Sequence, residues 1–285
     1  MKTVHGERLR YQEIVSTGPA SLPIHRDEIK RHVRLGTDIT EEDSLLDNYI
    51  REATIAVEQD SGRALVCQTR KLYLDQFPIN SRGTNTDDRM APDIELRGCP
   101  VIAVDSIKYV DYEGTTQTWD SDSYQVNAAD EPCRVRYVWG GMWPVAILAE
   151  KAITVTYSAG YVVPITIDAN TDRITLRGLT PVNGDKWRVS NSGGVLPGGL
   201  HTMTDYYIVG TSGQTCQLSL TAGGSPVNLL TGGYGLQFLG EMNPLASMAI
   251  ALRVAMSYVD REGAEYEQCH RGYWSKIYSL RYEGV

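Results

Sequence analysis

Apolar side chains recur every three or four positions in four stretches of the chain and alternate, or cluster in short runs, in the remainder. Ile29 and Val33 lie on one face of a predicted short helix that begins at Ile24 or His25, runs to Arg34 and stops before Gly36. Leu45, Leu46, Tyr49, Ile50, Ala53 and Val57 mark a second, amphipathic helix of about twenty residues. Thr40 is its expected N-cap, Glu41, Glu42 and Asp43 suit the positive end of its dipole, and Gly62 is its expected stop. Asn243-Pro244 opens a third helix with the apolar stripe Leu245, Met248, Ala249, Leu252, Ala255, Met256 and Val259. The fourth, after Gly263, carries Tyr266, Cys269, His270, Tyr273, Trp274, Ile277 and Leu280.

Between the helical pairs the period changes to β. Val66–Phe77, Ile94–Leu96, Val104–Tyr112, Thr116–Trp119, Tyr124–Val126, Arg134–Val138 and Ile153–Tyr157 read as strands. Asp111-Tyr112-Glu113-Gly114 marks a hairpin turn, Asn80–Met90 a polar loop, and Trp139–Pro144 a tight turn flanked by aromatics. Neither helical pair has enough apolar surface for a core of its own, so all four helices are expected to pack together near the sheet.

The stretch Ile165–Gly240 differs from its surroundings. It holds 14 of the 27 glycines, no glutamate, and eight charged residues that cancel. Arg173–Arg177, Lys186–Ser190, Tyr206–Gly210 and Cys216–Leu220 are short β-type runs spaced about ten residues apart, the spacing of a small sandwich or barrel. The predicted fold class is α+β: a four-helix host with a mostly antiparallel sheet (1–163 and 241–285), interrupted by an all-β sandwich or barrel-like domain (164–240).

The formal net charge of −8 lies wholly in the host. That argues against a protein built to grip phosphate backbones, though not against a surface past which DNA slides. Seventeen Tyr against two Phe favours half-exposed sheet faces and wet interfaces. Met1–Arg8 has no apolar run of the signal-peptide kind, and no run approaches membrane-spanning length. Five scattered cysteines without a CxxC lead us to expect free thiols.

No catalytic or metal-binding constellation emerges. The five histidines form no HxH or HExxH, and His25 and His32 lack matching acidic or cysteine ligands. Gly178–Lys186 departs from a phosphate-binding loop in spacing and lacks both the Ser/Thr and the following helix. No cofactor is expected. Arg134 and Arg136 with Tyr137 and Trp139 read as a charged sheet edge before a nucleic-acid stripe. Trp274, Tyr278 and Tyr282 recur every fourth residue, an aromatic face suited to a partner as well as to a core.

Read across the glycine-rich stretch, the host's signals come in a recognisable order. A helix led by Ser21-Leu22-Pro23-Ile24-His25-Arg26 is followed by the segment Ser61-Gly62-Arg63-Ala64-Leu65. A strand then closes on Phe77-Pro78, Arg97-Gly98-Cys99-Pro100-Val101 comes later, and Thr156-Tyr157-Ser158-Ala159-Gly160-Tyr161 precedes a Pro-led helix. Together these resemble the head–tail connector (adaptor, head completion) proteins of tailed double-stranded DNA phages, over Ser21–Val163 and Asn243–Arg281. The stretch containing Val195-Leu196-Pro197-Gly198-Gly199-Leu200 and Thr204–Val209 resembles a small β module carried by phage virion proteins.

The resemblance implies a non-enzymatic structural protein of the virion, sited at the head–tail interface and assembled in the host cytoplasm. Its copies form a ring, typically of twelve, beneath the portal. The ring completes the head, extends the channel through which genomic DNA passes, and offers a surface to the tail or the next neck protein. It implies no membrane partner. Portal docking is then expected at Trp274, Tyr278, Arg281 and Tyr282, and an assembly loop at Asn80, Arg82, Asp87, Asp88 and Arg89. The alternative is a binding protein whose insertion recognises a carbohydrate or a host surface through Trp187, Tyr206, Tyr207 and Tyr234.

Overall fold

A computed structural model describes residues 11–78, 93–259 and 267–281, the side chains of 259 and 267–269 excepted. The predicted loop Asn80–Met90, with all five of its candidate residues, lies outside the described residues, as does Tyr282. In chain order the elements begin with β1 (Tyr11–Thr17), α1 (Arg26–His32), α2 (Asp43–Ser61), β2 (Gln68–Leu74), β3 (Ile94–Leu96), β4 (Val101–Val110) and β5 (Thr116–Trp119). Then come β6 (Tyr124–Asn127), β7 (Cys133–Tyr137), β8 (Ile153–Ala159), β9 (Val162–Asp168), β10 (Arg173–Leu176), β11 (Lys186–Trp187) and β12 (Val189–Val195). The last are β13 (Tyr206–Ser212), β14 (Thr215–Ser219), β15 (Tyr234–Gly240), α3 (Pro244–Val259) and α4 (Glu267–Leu280). The class is α+β, as the periodicities indicate.

The chain divides into two compact units. One comprises 11–18 and Gln68–Ala159; the other comprises Pro19–Cys67 and 160–281. The helices and the glycine-rich sheet therefore share a unit, and the strands preceding that sheet form the other.

The first unit holds a five-stranded antiparallel sheet of order β1-β2-β8-β4-β5 and a three-stranded sheet of order β3-β7-β6. Leu72, Ile107, Val155 and Tyr157 are buried in the larger sheet. Tyr157 donates its hydroxyl to Glu13 and accepts from the Gly98 N–H at 3.3 Å, while Arg70 meets Glu13 at 2.7 Å. This buried set fixes β1 to its neighbours. Burial, then the Glu13 carboxylate, raises the Tyr157 phenol well above its ordinary range. Gly98 is required here, because a Cβ would stand 2.4 Å from Arg70 Nη1. Phe77 stacks on Trp143 (5.1 Å between centroids) and meets Tyr109 and Trp119 edge-on. Tyr124 packs on Trp119 and Tyr137 on Trp143, so one aromatic cluster ties the two sheets to the Trp139–Pro144 turn.

In the second unit Ile29, Ile50, Ala53, Val57, Ala249, Ile250, Val254, Tyr273 and Ile277 meet in one helical core. The α2 stripe is as the sequence predicts. The α3 stripe is met only in part: Ala249 and Met256 are buried as predicted, but Ala246, Ile250 and Val254 are buried too and Met248 is 44% exposed. The helix is apolar on most sides and packs against both α2 and α4, so periodicity alone could not choose its face. The start of α2 also differs. Thr40 lies in the turn before the helix, and Glu42 occupies the cap position, its carboxylate accepting from the Tyr258 hydroxyl (2.6 Å) and not from the first turn of the helix. Lys30, almost fully buried, stabilises this end instead, reaching Ile39 O (2.6 Å) and Asp43 Oδ1 (2.5 Å). Arg26 adds ion pairs to Asp43 (3.0 Å) and Asp47 (2.9 Å). Gly62 ends α2 in the left-handed conformation, as expected.

The glycine-rich stretch forms a seven-stranded sheet of order β11-β13-β14-β10-β9-β15-β12. Its two outer strands, β11 and β12, are halves of one extended segment separated only by Arg188. One half pairs with β13 and the other with β15, so the sheet closes on itself as a small barrel. Ile174, Leu176, Ile208, Cys216 and Leu218 are buried in it. Its first and last strands, β9 and β15, pair with each other, and Val66, Val162 and Phe238 share a small core.

Candidate functional site

The face most suited to a partner is built at the end of α4. Tyr273, Ile277 and Leu280 turn inward, which leaves the i, i+4 row of Trp274 and Tyr278 along the outer side. Trp274 is half-buried and donates Nε1–H to His270 Nε2 at 2.9 Å. Tyr278 is 63% exposed, and its ring lies 5.8 Å from that of Trp274. The Arg281 guanidinium sits over both rings, 5.6 Å from Trp274 and 5.5 Å from Tyr278.

This group is held from behind. Arg281 Nε donates to the Asp60 carbonyl (2.7 Å), Tyr273 donates its hydroxyl to Asp60 Oδ2 (2.6 Å), and Arg63 Nε donates to the Leu280 carbonyl (2.6 Å). Burial, then the Asp60 bond, raises the Tyr273 phenol above its ordinary range, so it stays a donor at neutral pH. The segment Ser61–Leu65 thus closes α2 and clamps the last turn of α4. The structure brings Trp274, Tyr278 and Arg281 into one rigid, amphipathic patch. His270, which the sequence sets on the same stripe as Tyr273 and Trp274, joins the patch as the acceptor of the Trp274 indole N–H.

The candidate contact residues of the barrel do not form one surface. Tyr206 is buried and its hydroxyl accepts from the His201 N–H (2.9 Å), so it serves the barrel interior. It shares its strand face with buried Ile208, a period-two signal that identifies it as inward. Trp187 pairs opposite Tyr206 on β11, Tyr207 pairs opposite Lys186, and Tyr234 stands 65% exposed at the far pairing of β12 with β15.

One constellation looks catalytic at first sight. Ser192 on β12 donates its hydroxyl to Glu28 Oε1 (2.9 Å) and accepts from the His25 backbone N–H (2.8 Å). Glu28 Oε1 also accepts from the Gly193 N–H (2.9 Å), and His25 Nδ1 accepts from the Asp27 N–H (3.2 Å). The serine proton is directed at a carboxylate, and no imidazole nitrogen stands ready to take it. The arrangement is a joint between α1 and the barrel. A cavity of about 330 Å³ beside it is lined by polar groups that include Asp27, Arg31, Asn191 and Tyr234.

Among the described residues no three His, Cys, Asp or Glu side chains could hold a metal ion together, and no helix is long and apolar enough to cross a membrane. Cys67, Cys99, Cys133 and Cys216 are buried thiols outside any disulfide. Burial pushes the Cys133 and Cys216 thiols up to about 12, the opposite of what a nucleophile needs.

No family model matches the chain, and no curated protein matches its sequence. Solved structures do. A chain in the neck of an empty gene transfer agent particle, computed with C6 symmetry, is similar with a TM-score of 0.55 at 15% identity, over 96% of this chain and 97% of that one. A chain of the virion of the native particle gives 0.54 at 16% identity, over 96% of both. A chain in the neck of the native particle, computed with C12 symmetry, gives 0.51 at 16%, over 97% of both. The fold is shared. Coverage this complete takes in residues 164–240, so the glycine-rich barrel has counterparts in those chains.

Proposed function

We propose that this chain is a structural neck protein of a phage-like particle. Its copies form a ring beneath the portal, complete the head, extend the DNA channel and present the attachment surface for the tail or the next neck protein. The observation that carries this reading is the fold likeness over essentially the whole chain to proteins in the neck of gene transfer agent particles. Sixfold and twelvefold symmetry in those structures suits a ring. The net charge of −8 suits a channel wall past which DNA moves without sticking. The chemistry agrees with a non-enzymatic role, since the Ser192 hydroxyl is engaged structurally and buried thiols are held protonated.

The aromatic–cation patch of Trp274, Tyr278 and Arg281 is the proposed portal-docking face. Preorganised aromatics and arginine are what interface anchors require. The reading of the barrel as a carbohydrate receptor is weakened by Tyr206, which is buried, and by the length of strand that separates Trp187 from Val195, the partner of Tyr234. Electron microscopy of the purified chain, alone and with its portal, tests the proposal. Rings, free or seated on portal, are expected; a monomer that never binds portal would refute it.

A further inference from the structure

The first unit carries an apolar stripe that its own fold does not use. Between β7 and β8 the chain turns at Trp139-Gly140 and then runs without regular secondary structure, and Trp139, Met142, Val145 and Leu148 recur every third residue. They are 90%, 76%, 61% and 66% exposed. The segment is not loose. Ile147 N–H donates to Val110 O (3.0 Å), Ala149 N–H donates to Asp75 O (3.4 Å), and Trp143 is stacked into the aromatic cluster. Four large apolar side chains are therefore held outward on a fixed backbone. Such a surface marks an interaction site, because isolated soluble domains rarely keep one uncovered.

The same unit has a second uncovered feature. Among the described residues β1 pairs only with β2, which places it at the edge of the five-stranded sheet. Tyr11, Ile14 and Val15 on it are 38%, 39% and 47% exposed. A ring needs two different surfaces on each copy, one to meet the neighbour ahead and one the neighbour behind. Charge favours joining these two. Lys71 lies directly across from Ile14, Arg97 lies over the Tyr11 ring with Glu95 beside it, and Glu13 is balanced by its ion pair with Arg70, which leaves the β1 side net positive. The stripe is flanked by Glu150, whose neighbour Lys151 turns to the Tyr73 ring, and by the Asp111–Glu113 turn next to Val110, which carries two carboxylates.

Resting on the ring reading above, we propose that the stripe Trp139–Leu148 of one copy packs along the β1 edge of the next, forming the head-to-tail contact of the ring. Both sides are exposed, so substitutions there leave the fold intact. The test uses two full-length variants, Ile14→Cys and Val145→Cys, mixed under the conditions in which the unmodified protein forms rings, then oxidised. Covalent dimers containing one copy of each are expected, with few dimers of either variant alone. Rings without the mixed dimer, or with Val145→Cys linking mainly to itself, would overturn this contact and leave the ring reading standing. Failure of the unmodified protein to form rings, alone or on portal, would overturn both. As a second readout, Lys71→Glu is expected to reduce ring yield several-fold and Glu113→Lys in the same chain to restore part of it; unchanged yield in Lys71→Glu would count against the charge pairing.

Discussion

Ser192, in the glycine-rich barrel, donates its hydroxyl to Glu28, on the first helix, at 2.9 Å. The adjacent Gly193 N–H ends on the same carboxylate oxygen, and a Cβ at Gly193 would fall 2.2 Å from the His25 ring. A stretch that stands apart in composition is therefore bonded into the helical unit. Residues 164–240, expected from composition to be an inserted domain, thus share hydrogen bonds with α1.

Glu28→Ala strands two donors, the Ser192 hydroxyl and the Gly193 N–H. Leaving buried donors unsatisfied costs about 1–3 kcal/mol, and a loss near ~2 kcal/mol is expected. Urea unfolding monitored by tryptophan fluorescence checks it. An unchanged midpoint would mean that the joint contributes nothing.

Acid stability is expected to depend on Asp43. The hydrogen bond from Lys30, then that from Arg26, holds its carboxyl below the ordinary 3.8 in the folded chain. A depressed carboxylate contributes stability that is present above its unfolded value and is lost as pH falls through the folded one. Melting temperature against pH should therefore show a steeper acid limb in the unmodified protein than in Asp43→Asn. Equal limbs would remove Asp43 from the explanation.

Gly160 has φ +151°, and a Cβ there would stand 2.5 Å from the Cys67 backbone nitrogen. Neighbouring Tyr161 N–H donates to Leu65 O at 3.0 Å, so the backbone cannot retreat without breaking a bond. Gly160→Ala is expected to destabilise the chain by at least about 2 kcal/mol through strain of this kind. Thermal unfolding measures it, and a Tm within a degree of the original would contradict the close packing.

The longest amphipathic pattern, α2, was legible in the sequence because its apolar face is narrow and its far end carries a glycine. Legible too were β2, which lies inside the predicted run Val66–Phe77 but stops at Leu74, and β8, which contains Tyr157. Three strands, β1, β9 and β15, left weaker signals. Pro164 interrupts β9, Gly235 and Gly240 weaken the Tyr234–Gly240 pattern, and β1 is exposed along most of its length, so alternation had little to report. Barrel closure was beyond local patterning, since it depends on one segment, 186–195, pairing at its two ends with different strands. Of the candidate site, the four-residue spacing gave Trp274 and Tyr278. The clamp behind them joins Arg63 and Asp60 to residues more than two hundred positions away, a relation that spacing cannot carry.

Tyr278 is the cleanest probe of the docking face, being exposed and bonded to nothing that the fold requires. Tyr278→Ala is expected to change stability by less than about 0.5 kcal/mol. It should weaken portal binding by roughly tenfold or more, the loss typical of an interface anchor. Trp274→Ala should do the same with a somewhat larger stability loss. Binding by both variants at the original affinity would move the portal contact elsewhere.

The central claim is that this chain forms a ring seated under the portal. A reconstruction of the purified chain bound to its portal, with symmetry left free during initial refinement, tests it most directly. A single closed ring stacked on the portal's tail-proximal side, with the α4 end facing the portal, is the expected result. A chain bound as isolated copies around the outside of the particle, or absent from the complex altogether, would contradict it.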